Sequence, residues 1–284
     1  MILIADSGSF KTDWILKGKQ ESLTYQTAGL NPYFISEKTF HKELSKSGLL
    51  DEHTAEIPRI EFYGAGCGSA KNQAIVKGWL SNIFPKASIQ VYSDLLGAAR
   101  ALLFNKPGIA CILGTGSNCC FYDGKKITYT RPSPGYILGD EGSGSYMGQK
   151  LMKAFIYGEL PTPLNRKLTD QFQLTEEKIV EALYNKPFPN RFLAGFIPFI
   201  KENKDHEFIQ QMIHQSLQDF FEDHLIKTPG HKESTIRFTG SVAWIFQQEI
   251  RTLNRDFNLH IEHFIASPVQ ALAEFHSADT PFFD

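Results

Sequence analysis

The sequence predicts a duplicated α/β fold with a ligand cleft between the copies. Three observations carry this. Two glycine turns between apolar strands look like copies of each other. One is Ile4-Ala5-Asp6-Ser7-Gly8-Ser9-Phe10-Lys11-Thr12-Asp13-Trp14; the other is Ile112-Leu113-Gly114-Thr115-Gly116-Ser117-Asn118-Cys119-Cys120-Phe121. The order strand, hairpin strand, strand, helix, strand, helix is written twice. The 284 residues, 42% of them apolar and 23 of them phenylalanine, can fill two cores.

In the first half, residues 2–6 and 13–17 read as strands, the second turning at Lys17-Gly18-Lys19 into 21–26. Helical spacing of Phe40 and Leu44 gives a helix over 36–48, stopped by Gly48. Residues 59–63 form a strand leading into Gly64-Ala65-Gly66-Cys67-Gly68, followed by a helix from about Asn72 to Phe84, closed by Pro85. Strand 89–92 precedes a small-residue helix from Asp94 to Phe104. The second half repeats the order with strands 109–113, 118–122 and 126–130, the last two joined at Asp123-Gly124. A helix over 143–157 follows, then a largely helical stretch, 162–227, with no counterpart in the first half. Strand 236–239 meets Gly240-Ser241-Val242-Ala243 and a helix to about Asn254; strand 259–265 and helix 268–277 finish the chain.

Composition narrows the function. With 29 basic against 31 acidic residues and no basic stripe, nucleic acid is not the expected partner. No apolar run approaches a membrane span, and Met1-Ile2-Leu3-Ile4-Ala5 lacks the parts of a signal peptide. The four cysteines, Cys67, Cys111, Cys119 and Cys120, lie in apolar or glycine-rich strands without C-x-x-C spacing. The expected setting is the reducing cytoplasm.

Consecutive amides in a glycine turn form a concave anion site, so two such turns suggest two half-domains gripping one phosphate chain. Asp6 ends the first strand beside the first turn, where a lone carboxylate can hold Mg²⁺ through water or simply close the turn. Asp94, after Ser93, stands at a helix start that is also a strand mouth. A capping role and a proton-accepting role both stay open there. In Gly139-Asp140-Glu141-Gly142-Ser143-Gly144-Ser145, the amides and hydroxyls can bind an anion or a sugar hydroxyl, or Asp140 or Ser143 can cap the next helix. Asn31, before Pro32, and Asn118 can hydrogen-bond a polyol, although an Asn before Pro is more often a turn residue. Gly240-Ser241-Val242-Ala243 lets a flat group such as adenine approach the backbone, or equally is only a tight strand-to-helix turn. Nothing matches the P-loop or the dinucleotide glycine motif. His260 and His263 point to opposite faces of a strand and are not expected to hold zinc. The apolar runs Phe192–Ile200 and Phe208–Phe221 read as core of the helical region.

These residues together resemble the superfamily uniting actin, the ATPase region of heat-shock chaperones, and acetate and sugar kinases. More narrowly the chain resembles the ATPase family that groups N-acetylglucosamine kinase with the activators of benzoyl-CoA reductase and 2-hydroxyacyl-CoA dehydratase. The likeness covers essentially the whole chain. It implies two ribonuclease H-like, actin-like ATPase domains with duplicated mixed sheets flanked by helices. The first spans 1–105, with helix 268–279 crossing back to it; the second spans 106–267 with its helical insertion at about 162–227. It implies ATP and Mg²⁺, with Asp6, Ser7, Gly8, Ser9, Lys11 and Thr12 as the first phosphate loop. Gly114, Thr115 and Gly116 form the second, Gly240, Ser241 and Val242 the adenosine loop, and Asp6 is the residue near the metal. Asp94 falls where these kinases carry the catalytic base, and Asn31, Asn118, Gly135 and Asp140, with Asp94, fall where they line the sugar pocket. The implied reaction phosphorylates an amino sugar, an N-acetylhexosamine, at its 6-hydroxyl.

Two departures stand out. The family's first loop has threonine where this chain has Phe10, so either Lys11 and Thr12 supply the missing contact or nucleotide is held less tightly. The Gly-Trp-Gly before the acidic-glycine loop reads Ser133-Pro134-Gly135, which leaves the sugar open, as is a homodimer. The alternatives are an electron-passing activator with a cysteine-bound iron–sulfur cluster and a non-catalytic sugar sensor.

Overall fold

The computed structural model describes residues 1–18, 21–52 and 57–277. Lys19 of the expected turn, and the last two residues of the expected helix 268–279, lie outside these. Two five-stranded mixed sheets form the frame. In the first, β1 (Ile2–Ser7), β2 (Lys11–Lys17) and β3 (Ser22–Ala28) make an antiparallel meander, and β4 (Arg59–Gly64) and β5 (Ser88–Ser93) add parallel to β1. In the second, β6 (Gly108–Leu113), β7 (Ser117–Tyr122) and β8 (Ile127–Thr130) form the meander, and β9 (Ile236–Thr239) and β10 (Ile261–Ile265) add in parallel. The spatial orders, β3-β2-β1-β4-β5 and β8-β7-β6-β9-β10, are the same arrangement twice.

Helices α1 (Glu37–Ser45), α2 (Leu49–Glu52), α3 (Ala70–Ile83) and α4 (Asp94–Leu103) belong to the first half. The second contains α5 (Gly144–Ile156), α6 (Thr162–Phe172), α7 (Glu176–Tyr184), α8 (Pro189–Ala194), α9 (Ile197–Glu202) and α10 (Glu207–Phe220), the last widening into a π turn over Phe221–Leu225. It closes with α11 (Ser241–Ile245), α12 (Gln247–Phe257) and α13 (Val269–Phe275). Four helices start at a serine whose hydroxyl accepts the amide three residues on: Ser36, Ser69, Ser93 and Ser143. So Ser93, not Asp94, caps α4, and Ser143, not Asp140, caps α5. The single helix expected after Gly240 is two. It breaks at Phe246, whose ring is fully buried in the core of the second sheet.

Each sheet has its own core on its outer face. Trp14, Phe40, Phe62, Val76 and Leu80 fill the first, and Leu151, Phe199, Phe220, Phe238 and Ile250 the second. Between the sheets run α4 and α13. Small residues of α4, such as Ala99 and Ala101, let it lie close to both sheets; Ala99 packs with Ala110 and Cys120, Ala101 with Ile4 and Tyr63. α13, at the far end of the chain, packs on β1, β2 and α4.

A polar network ties this middle layer together. Tyr63 Oη accepts from Arg100 Nη1 at 2.8 Å and lies 2.7 Å from His276 Nε2, while the Arg100 guanidinium stacks over Tyr92 at 4.5 Å. The His276 side chain is nearly buried, and burial first, then the Arg59 and Arg100 charges, push its pKa down to about 4. The Glu61 carboxylate 3.9 Å away is too distant to reverse this. Below pH 6.5 the unfolded chain takes up a proton that the folded one refuses until about pH 4. This contribution is therefore complete above 6.5 and is lost as pH falls through that window. Replacing His276 with Gln should flatten the dependence of stability on pH between 6.5 and 4 by on the order of 2 kcal/mol, read from denaturant unfolding across that range.

Candidate functional site

The parallel strands of each sheet end in one row. In the first sheet Ser7, Gly64 and Ser93 lie side by side, which puts Asp6 and Asp94 on the same edge, two strands and so about 10 Å apart. In the second, Ile112, Thr239 and Ile265 share a row, so Gly114 and Gly240 emerge together just beyond it. This is the edge where open α/β sheets bind ligands.

The first turn is a hairpin closed by the Gly8 amide donating to Lys11 O at 3.0 Å. Ser7 and Thr12 are fully buried behind it. Thr12 Oγ1 donates to Ser7 Oγ at 2.9 Å and lies 3.2 Å from Ala28 O, while Ser7 Oγ accepts the Leu30 amide at 3.1 Å. Both hydroxyls are committed inside the protein, so Thr12 does not stand in for the threonine replaced by Phe10. What the turn offers outward is the amides of Ser9 and Phe10, which donate to no group among the described residues, and the Lys11 ammonium, 2.7 Å from Asp13. The Phe10 ring is exposed.

The second turn repeats this plan. Gly114 donates to Gly116 O at 2.9 Å, and the Thr115 and Gly116 amides have no acceptor among the described residues. The first amides of α5 are used up: Gly144 donates to Gly114 O at 2.8 Å and Ser145 to Thr115 O at 3.0 Å. The acidic-glycine loop therefore braces the second turn instead of presenting that helix end to an anion. Asp140 adds to the brace. Its Oδ1 accepts the Ser117 amide at 3.3 Å, from a left-handed backbone with φ +61°. Burial, helped by the Glu141 charge, raises Asp140 to about 6.

Gly240, with φ +110°, lies against the same turn; a Cβ there would sit 2.4 Å from Leu113 O. Only glycine fits, in both backbone angle and space. At Gly114 an added Cβ would meet nothing within 4 Å, so that face is open to a ligand.

Asp6 and Asp94 keep part of their surface open to the cleft but stand deep among protein atoms. Loss of water, then the charges of Asp94 and Asp13, raise Asp6 to about 7 against the pull of Lys11. Desolvation also raises Asp94, opposed by the Leu95 amide, which donates to Oδ1 at 2.9 Å. Two carboxyls pushed upward by loss of water, both on one sheet edge, mark a candidate site for a cation and a proton acceptor.

The expected sugar residues are more mixed. Asn31 is buried, and its Oδ1 accepts the Tyr33 amide at 2.9 Å, so it does close a turn; its side-chain amide donates to nothing among the described residues. Asn118 Oδ1 accepts the Cys119 amide at 2.8 Å. Gly135, φ +76°, bends the exposed loop that carries Ser133 and Pro134. Two participants gave no local signal. His224, in the π turn, lies 2.8 Å from Glu141 through Nε2, and Arg191, on α8, donates to Gly29 O at 3.3 Å. Both lie just outside the runs Phe192–Ile200 and Phe208–Phe221, whose helical apolar spacing marks only core.

The donor set fits a magnesium nucleotide: four outward amides on two turns for phosphates, and Asp6 for the ion. No group of three or more metal-ligating side chains gathers among the described residues. The cysteines do not converge on a surface. Cys67 is buried in the first core, Cys111 and Cys119 in the second with sulfurs 3.6 Å apart, and Cys120 faces α4.

No family model matches the chain. The crystal structure of a candidate N-acetylglucosamine kinase from Porphyromonas gingivalis superposes with a TM-score of 0.91 and 36% identity, covering 97% of this chain and 98% of that one. The chain belongs to the N-acetylglucosamine kinase family. MreB5 of Spiroplasma citri, solved with ADP, shares the fold at TM-score 0.55 and 9% identity, over 97% of this chain and 94% of that one. A curated N-acetylmuramic acid/N-acetylglucosamine kinase of Clostridium acetobutylicum is 30% identical over 115 residues, 40% of this chain and 38% of its own length. The family frame is thus the actin-like ATPase fold, with twin mixed sheets and a helical insertion in the second half. Among the described residues no helix is long and apolar enough to cross a membrane.

Gly240→Ala should lower stability by about 1–3 kcal/mol in denaturant unfolding, through strain and displacement of the second turn. Gly114→Ala should leave stability nearly unchanged, and any loss of nucleotide affinity in calorimetric titration then reports the open face directly.

Proposed function

We propose that this chain is an ATP-dependent kinase of an amino sugar, an N-acetylhexosamine phosphorylated on its 6-hydroxyl. The observation that carries the reading is the pairing of two all-donor glycine turns, at equivalent edges of twin sheets, with a desolvated carboxylate, Asp94, on the same edge as the first. The family likeness agrees with it. In this reading residues 1–105 and 106–267 are the two moving domains, and α13 belongs with the first.

The Ser9, Phe10, Thr115 and Gly116 amides hold the phosphates, Lys11 adds charge, and Gly240, Ser241 and Val242 border the adenosine. Mg²⁺, held near Asp6, supplies charge neutralisation along the phosphate chain. Asn31, Asn118, Gly135 and Asp140 orient the sugar. The acceptor oxygen forms its bond to the γ-phosphorus as the bond to the ADP oxygen breaks. ADP leaves with that electron pair, and the hydroxyl proton passes to Asp94. A carboxyl whose pKa is raised by burial is a stronger base once ionised than an exposed one. Phosphoryl transfer asks mainly for positioning and charge neutralisation, which these groups provide.

A coupled ADP-release assay across amino sugars and plain hexoses tests the reading. An N-acetylhexosamine should turn over best; absence of turnover with every sugar would refute it. Asp94→Asn should lower kcat ~10²–10⁴-fold while sugar affinity, measured by calorimetry, persists.

A further inference from the structure

Arg191 sits on α8, within the helical insertion, and its surroundings are unusual for a half-buried cation. Its guanidinium lies 3.8 Å over the Phe188 ring, and one nitrogen, Nη2, donates to Gly29 O at 3.3 Å. Nε is buried without a partner, and no carboxylate among the described residues pairs with it. By contrast, Arg59 has Glu61 at 2.7 Å and Arg237 has Glu262 at 2.8 Å. Burial accordingly lowers the Arg191 pKa. A desolvated charge normally has a counter-charge, because leaving it uncompensated is costly.

Its position says what the counter-charge is. Gly29 lies against the first turn: its amide donates to Phe10 O at 2.9 Å, and a Cβ there would sit 2.3 Å from Ser9 O. The other end of α8 reaches the second turn's brace. Ala194 comes within 3.1 Å of where a Cβ on Gly144 would be, and Gly144 donates to Gly114 O at 2.8 Å. α8 thus has Arg191 beside the residue that backs the first turn and Ala194 beside the one that backs the second. Its guanidinium carries five donor hydrogens, of which one bond to a carbonyl is made. The edge-on contact of Phe34 with Phe188, 5.7 Å between ring centres, holds the stacking ring from the side of the first sheet.

We infer that Arg191 is the cation that neutralises the phosphoryl group in transfer, contributed from the insertion to the gap between the two turns. This rests on the kinase reading above. A planar guanidinium suits the spread charge on equatorial phosphoryl oxygens better than a point charge. It forms no covalent bond. The oxygen–phosphorus exchange and the proton transfer to Asp94 are unchanged, and Arg191 lowers their barrier by matching charge that develops on the group.

The test compares Arg191→Gln and Arg191→Lys with the unaltered full-length protein. Calorimetry with Mg²⁺ measures ADP and the non-hydrolysable β,γ-imido analogue of ATP, and ADP release measures kcat with the best sugar. The Gln variant should bind ADP within about twofold of normal but the analogue ~10-fold more weakly, and kcat should fall ~10²–10³-fold. The Lys variant should recover part of both. Melting temperatures close to the parent's would separate this from a structural role. If ADP and analogue affinities fall together, or if kcat is unchanged in both variants, Arg191 only fastens α8 to Gly29 and the inference fails. If the unaltered protein neither binds the analogue nor turns over any sugar, the kinase reading fails and this inference with it.

Discussion

The site depends on four backbone amides that the fold refuses to satisfy. Backbone donors in a protein almost always find an acceptor, so leaving Ser9, Phe10, Thr115 and Gly116 without one requires that everything around them be accounted for. Much of it is. Gly8 and Gly114 close their own turns, the Ser7 and Thr12 hydroxyls bond each other, and the Gly114 and Thr115 carbonyls accept from the start of α5. With those two carbonyls capped, the second turn has little acceptor character left on its outer face. The second turn thus presents the Thr115 and Gly116 amides outward, and a concave set of such donors favours an anion without any basic patch, which a chain with a formal charge of −2 lacks.

The carboxylates work against those donors in a controlled way. Asp6, Asp94 and Asp140 all have raised pKa values, each mainly from loss of water. Asp6 feels the Asp94 charge as well as its own desolvation, so a carboxyl near neutrality there lessens the repulsion between the two. Asp140 has a different part. Its carboxylate accepts the Ser117 amide from a left-handed residue, so its charge is partly spent on fixing the second turn.

Much of this was legible in the sequence because it is written locally. The twin glycine turns give the twin hairpins, and the strand rows follow from the alternation of elements. Serine caps sit directly before their helices, although Asp94 and Asp140 competed for that role on composition alone and lost to Ser93 and Ser143. A hydroxyl's direction was not legible. Thr12 has the right residue type for a phosphate loop, but strand alternation turns it inward, opposite Ser7 in the register. Nor were the contacts of the insertion. Arg191 meets Gly29 and His224 meets Glu141 only because the helices after α5 fold back over the cleft, and no period or motif in that stretch encodes the return.

The two halves meet through the middle layer and through α8, and the contacts of the two differ in kind. The middle layer buries aromatic and aliphatic side chains of α4 and α13 between two sheets, with Tyr63, Arg100 and His276 bonded inside it. Opening there would expose all of that at once. Between α8 with its preceding Phe188 and the first half, the described residues give a hydrogen bond to the Gly29 carbonyl and an edge-on ring pair with Phe34, each worth on the order of 1 kcal/mol. That contact carries the Arg191 guanidinium, which pairs with no carboxylate among the described residues. A ligand whose negative charge engages that guanidinium would strengthen the contact of α8 with the first half, so ligand charge and that contact would be coupled.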